Sequence, residues 1–249
     1  NVDNYYKKLA VVSVATLFFF TNNSSMAAEK VSCDSEKARQ LVTKCVNNKG
    51  VLNSAEGVLQ KLTEMSLQCP GREKYLYLRG QCYEGLGRNQ EALKDYADAN
   101  KLLPDDIVIK HALAGIYYKQ KNFGLAIKHA TDVIQLDETD SDGLILRAKI
   151  YEKKESFNLA LKDYSEALII LHARNTCSHG DKSCYSPIEE EIYLNMFRLH
   201  IILDETNKAI HILKEGLKWN PGSSKLMSKL KKIYKETVGE EMKNQDYCP

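Results

Sequence analysis

The segment Cys177-Ser-His179-Gly-Asp-Lys-Ser-Cys184 comes nearest to carrying chemistry, with His172 just ahead of it. It offers thiols and imidazoles to a metal ion, or two thiols to a redox cycle. The spacing matches no common zinc pattern. Ser178, His179 and Asp181 lie too close in sequence for the separate roles of a nucleophilic triad. Gly and Ser mark the segment as a loop. In an oxidising compartment its simplest chemistry is a local Cys177–Cys184 disulfide. The sequence has no phosphate loop, no nucleophile elbow and no CxxC pair. No cofactor or metal is implied, and a non-enzymatic protein is expected.

The other cysteines point to the same compartment. There are seven: Cys33, Cys45, Cys69, Cys82, Cys177, Cys184 and Cys248. All follow a segment with the layout of a secretory signal peptide, residues 1–28. Lys7 and Lys8 form its basic start, Leu9 to Phe20 is an uncharged and mostly apolar run, and Ser25-Met26-Ala27-Ala28 supplies the small residues of a cleavage site. That run is short for a membrane span, which takes about 20 residues. An exported chain is expected, whether secreted, periplasmic or in the ER lumen, with no membrane contact after cleavage. An uncleaved anchor is the alternative. Seven cysteines leave at least one without a partner inside the chain, and Cys248 in the tail is the candidate for an intermolecular disulfide. Formal net charge is +2 over 249 residues, so no overall field favours nucleic acid or an anionic membrane.

The elements that must carry these features repeat. Gly80, Tyr83, Ala92, Tyr96 and Ala99 in residues 73–106 return 34 residues later as Ala114, Tyr117 and Ala126, and again as Ala148, Tyr151, Ala160, Tyr164 and Ala167. A fixed period of this length marks stacked helical hairpins. Small residues let two helices approach closely, and a tyrosine three positions further on lies on the same helical face. The copies are 73–106, 107–140 and 141–174. Residues 29–72 form a degenerate leading hairpin, flanked by Cys45 and Cys69, which are expected to staple it. Residues 175–189 interrupt the period as a cysteine-containing loop. Residues 190–221 resume it with Phe197 and His200 at the small and tyrosine positions. Residues 222–238 form a capping helix with one apolar stripe and many lysines, and 239–249 a tail. The expected fold is all-α: a right-handed α-solenoid of stacked antiparallel helix pairs.

This skeleton resembles the tetratricopeptide repeat family. It departs from the family pattern at the early tryptophan position, which holds Leu76, Lys110 and Leu144, and at the closing proline, where Pro104 is followed by Glu138 and His172. The resemblance implies that first helices line a concave groove. The residues it places there are Tyr77, Leu78, Gln81, His111, Tyr118, Ile145, Leu146, Lys149, Leu194, Asn195 and Arg198. A mixed apolar, aromatic and polar groove suits a peptide or helix of a protein partner. The family's lysine and asparagine clamp for acidic chaperone tails is not matched, since its positions hold Tyr77, Gln81, Ala112, Asp142 and Leu146. The expected function is an exported interaction scaffold. A holdase-type co-chaperone for unfolded chains is the alternative, and thiol-redox or metal chemistry at Cys177–Cys184 a third reading.

Overall fold

In a computed structural model, residues 33–47, 52–174 and 186–238 are described, and all regular structure among them is helical. The helices are α1 (Ser35–Asn47), α2 (Leu52–Gln68), α3 (Arg72–Gly85), α4 (Asn89–Leu102), α5 (Ile107–Lys119), α6 (Phe123–Leu136), α7 (Ser141–Lys153), α8 (Phe157–Arg174), α9 (Pro187–Ile202), α10 (Thr206–Trp219) and α11 (Ser224–Val238). Each packs on the next, and α1 also reaches α3 and α5 reaches α7. The architecture is an α-solenoid of stacked pairs, like that of tetratricopeptide repeats. Among the described residues no helix is long and apolar enough to cross a membrane. Residues 1–28, expected to form a signal peptide, and Cys177, Cys184 and Cys248 lie outside the described residues.

Local chemistry explains the helix ends. Asp106 and Asp140 cap α5 and α7, accepting from Ile109 N at 2.9 Å and Gly143 N at 3.1 Å. Asn122 caps α6, Ser223 caps α11, and Ser186 caps α9 ahead of Pro187 at the first turn. The turn inside each of the four pairs from α3 to α10 places one residue in the left-handed region at the same repeat position: Gly87, Lys121, Glu155 and Asp204, with φ of 75°, 60°, 58° and 57°. Only the first is glycine, so the other three copies carry left-handed strain of about 1–2 kcal/mol each, set by the hairpin geometry.

Packing follows the small positions. Gly80, Ala92, Ala99, Ala114, Ala126, Ala148, Ala160 and Ala209 are all buried. A Cβ on Gly80 would stand 2.5 Å from Tyr96 Cε1, so α3 and α4 meet with no room between them. The fully buried tyrosines are Tyr96 and Tyr164, on the second helices. Tyr83, Tyr117 and Tyr151 are only half-buried. Tyr83 lies under the Arg88 guanidinium at 4.8 Å, and Tyr117 stacks on His129 at 5.6 Å. Trp219 joins the core of α7–α11 and stacks on His172 at 3.7 Å between ring centroids. His172 is therefore built into an aromatic stack.

The leading hairpin is tied down covalently, with a pairing different from the expected Cys45–Cys69 staple. Cys33 bonds Cys69, and Cys45 bonds Cys82 in α3. Antiparallel geometry is the reason. The end of α2 adjoins the start of α1, where Cys33 sits. Cys45 lies at the far end of α1, roughly 25 Å away along the 17-residue helix α2, and faces α3 instead. Loops of 36 and 37 residues are worth about 4 kcal/mol each in the chain-entropy account. The second bridge joins this irregular unit to the first regular copy.

Two measurements check this packing. Gly80→Val should lower stability to urea by about 1–3 kcal/mol or more through overpacking against Tyr96. Gly115 has nothing within 4 Å of its Cβ position, so Gly115→Ala should raise stability by about 1 kcal/mol through helix propensity alone. Equal effects would contradict the close approach. A second check concerns pH. Burial lowers the pKa of His129, against an opposing pull from Asp132 and with Lys110 and Lys128 adding to the lowering. The unfolded chain then takes up this proton first as pH falls. The stabilisation is present above the free imidazole value of about 6.5 and lost as pH drops toward the lower folded value. The loss of urea resistance on acidification from about pH 7.5 to 5 should be smaller in His129→Phe, which keeps a ring on Tyr117.

Candidate functional site

The first helices α3, α5, α7 and α9 present the face on which the groove residues were expected. A buried clamp positions two of them. Arg79 on α3 donates through Nε and Nη2 to both oxygens of Asp95 on α4, at 2.7 and 2.6 Å, and through Nη1 to Thr63 on α2 at 2.8 Å. Two periods on, Arg147 on α7 donates to both oxygens of Asp163 on α8 at 2.8 Å and to Thr131 on α6 at 3.1 Å. The aspartate side chains are 3% exposed and the arginines 17%, so each pair is nearly dry. The hydrogen bond from each guanidinium to its aspartate holds the arginine firmly protonated despite burial.

Beside each clamp is a matching polar station. Tyr96 OH donates to Glu84 at 2.7 Å, and Lys119 of the next copy donates to the other oxygen of Glu84 at 2.6 Å. Tyr164 OH donates to Glu152 at 2.7 Å, and Arg198 pairs with the other oxygen of Glu152. Desolvation, then the neighbouring glutamate, pushes both phenol pKa values well up, so the hydroxyls remain donors. Further polar links tie the same helices. His111 Nε2 lies 2.6 Å from Asp140 Oδ2, and Lys149 Nζ lies 3.0 Å from Glu191 Oε1. A ladder thus runs from α3 through α5 and α7 to α9.

Several expected residues meet on this ladder. Ile145, Lys149 and Asn195 line one cleft of about 150 Å³ between α7 and α9, together with Asp142, Ile188, Glu191 and Ile192. Asn195 reaches Tyr164 OH at 3.5 Å, and Arg198 is exposed on the same helix. Leu146 and Tyr118 share an apolar cluster, and Leu194 packs half-buried against the core of α7–α11. Tyr77 lies half-buried against Tyr96 at 5.7 Å, and its hydroxyl accepts from Gln81 at 2.8 Å. Leu78 is a correction. It is buried in the core shared by α1, α2 and α3, because α1 covers the face that an open first repeat would expose. The family spacing also puts Glu84 and Glu152 on this face; sequence reasoning missed Lys119, the pairing of both glutamates with buried tyrosines, and both clamps. Their signal is the recurrence of Thr63, Arg79, Glu84, Asp95 and Tyr96 as Thr131, Arg147, Glu152, Asp163 and Tyr164.

Comparison with known proteins agrees on the fold. A model of the bacterial transcriptional activator domain matches residues 17–114, about two fifths of the chain. Tetratricopeptide repeat protein 16 of Mus musculus is 29% identical over 125 residues, 47% of this chain, and the match spans only 16% of that protein. MamA from Desulfovibrio magneticus RS-1 superposes with a TM-score of 0.59 at 16% identity, covering 78% of this chain and 99% of that one. YrrB, described as a tetratricopeptide repeat protein with an unusual peptide-binding site, gives a TM-score of 0.55 at 14% identity, covering 81% of this chain and all of its own.

The clamp yields a direct check. Asp163→Ala strips the Arg147 guanidinium of its partner and should cost about 3–5 kcal/mol in urea unfolding. Arg147→Met with Asp163→Leu should recover most of that loss, because apolar groups of similar volume often replace a buried pair without penalty. A single variant costing under about 1 kcal/mol, the range of exposed pairs, would contradict the buried role.

Proposed function

We propose that this chain is a non-enzymatic interaction scaffold of an exported compartment. It holds a peptide or helical segment of a protein partner on the face made by α3, α5, α7 and α9. The observation that carries this reading is the α7–α9 cleft. Its buried apolar lining is Ile145 and Ile192, the exposed Ile188 stands at its edge, and Asp142, Lys149, Glu191 and Asn195 make its lining polar elsewhere. An apolar anchor site with a few convergent polar groups is what a side chain entering from a partner requires. The ladder keeps the helices on either side in fixed register, which limits the ordering cost of binding. Two disulfides in the leading unit support the exported setting, since such bonds persist in oxidising compartments.

The polar rim gives the cleanest test. Tyr77 supports Tyr96, so truncating it would disturb the core, whereas Lys149 is 39% exposed. Lys149→Ala and Asn195→Ala, which remove one exposed ion pair and one 3.5 Å contact, should keep the helical signal of the parent and shift its stability by no more than about 1 kcal/mol. Each should reduce capture of the native partner from the exported fraction about tenfold or more, a loss of roughly 1.4 kcal/mol. One dominant partner lost in both variants supports a dedicated scaffold. Undiminished capture by both contradicts the groove. Capture of a broad spread of unfolded chains, with suppression of their aggregation, favours the holdase reading.

A further inference from the structure

The second helices carry a surface that the groove does not use. Between α6 and α8 lies a broad cleft of about 1020 Å³, with Ile134 and Ile170 half-buried in it and Ile169 at its edge. Ile169 is 68% exposed. The equivalent positions of the other copies hold Lys101, Gln135 and Lys218, residues suited to water. Among the four copies after the leading hairpin, whose own equivalent is the exposed Leu67, only the third puts a branched aliphatic side chain at this solvent-facing site. Leu136, at the neighbouring end of α6, is also exposed. Grouped apolar exposure of this kind marks a contact surface.

The charges around the cleft indicate what covers it. Lys162 and Glu166 stand one turn apart on α8, and Glu138 follows the end of α6; all three are exposed, and none forms an ion pair among the described residues. The patch therefore holds a protruding apolar group, a recess for one, and charges of both signs. Such a surface is its own complement, the condition for a contact in which both members use the same patch about a two-fold axis. We propose that this chain dimerises through α6 and α8, with Ile169 of each copy in the other's Ile134–Ile170 recess. Lys162 of one copy faces Glu138 of its mate. The groove on the first helices lies on the other side of the stack and stays open in the dimer.

Sedimentation velocity over a wide concentration range tests this, with Cys248→Ser as the background so that a covalent dimer is not counted. The expected result is a reversible monomer–dimer equilibrium. Ile169→Lys, which installs the residue of the first and fourth copies, should weaken dimerisation about tenfold or more. Its helical signal and unfolding midpoint should match the parent. Lys162→Glu should weaken the dimer, and adding Glu138→Lys should restore it. A monomer at every concentration overturns the proposal, as does a dimer indifferent to Ile169→Lys. Failure of the double charge reversal to restore association overturns the two-fold pairing. Loss of a different protein's binding in Ile169→Lys, with the chain monomeric throughout, assigns the patch to that partner instead and also overturns it.

Discussion

A guanidinium buried between three helices is the constraint from which the stack takes its geometry. Arg79 and Arg147 each satisfy a dry aspartate with two hydrogen bonds and spend a third on a threonine of the preceding helix. Removing such charges from water is costly, and only near-ideal geometry returns the loss. The planar fork of arginine admits little variation in how three helices meet. Because the threonine belongs to the previous pair, each clamp crosses the boundary between hairpins. Most helix contacts in a solenoid leave that boundary to apolar packing, which tolerates sliding more readily.

The clamps occur in alternate copies. In the second copy the equivalent arginine and aspartate are Leu113 and His129, and in the fourth they are Met196 and Ile212. Bulk alternates with them. Tyr96 and Tyr164 fill the second helices of the clamped copies, while Ala130 holds the equivalent place in the second. The effective unit is thus a double hairpin. Each carries one clamp, one buried tyrosine and one glutamate station, and the station hands its free oxygen to a cation from the following copy. The ladder along α3, α5, α7 and α9 is the outward consequence of the buried device. Its cleft at Ile145 and Ile192 lies where the second clamped unit meets the fourth copy.

Much of the fold was legible in the residues, for physical reasons that are specific. Alanine and glycine recurring at one spacing encode close helix approach, and that alone separates a hairpin array from other helical folds. Short polar side chains before an apolar run, as at Asn122 and Ser223, satisfy the free amides that start a helix. The double period was missed although it is written in the sequence as Lys94-Asp95-Tyr96 and Lys162-Asp163-Tyr164. Aligning every copy to a single period treats the intervening Lys128-His129-Ala130 as a weak match rather than as the alternate state. The disulfide partners were not legible, because Cys33, Cys45, Cys69 and Cys82 are chosen by antiparallel geometry and by α1 lying against α3. The same covering by α1 removed Leu78 from the groove, an effect of tertiary packing that no spacing within α3 records.

The sharpest measurement is native-state hydrogen exchange resolved to single helices. If the clamps join neighbouring pairs, amides of α2 should open with the same free energy as those of α3 and α4, and amides of α6 with those of α7 and α8. Opening energies that instead change at each hairpin boundary, between α2 and α3 and between α6 and α7, would contradict the account, because the pairs would then be opening independently.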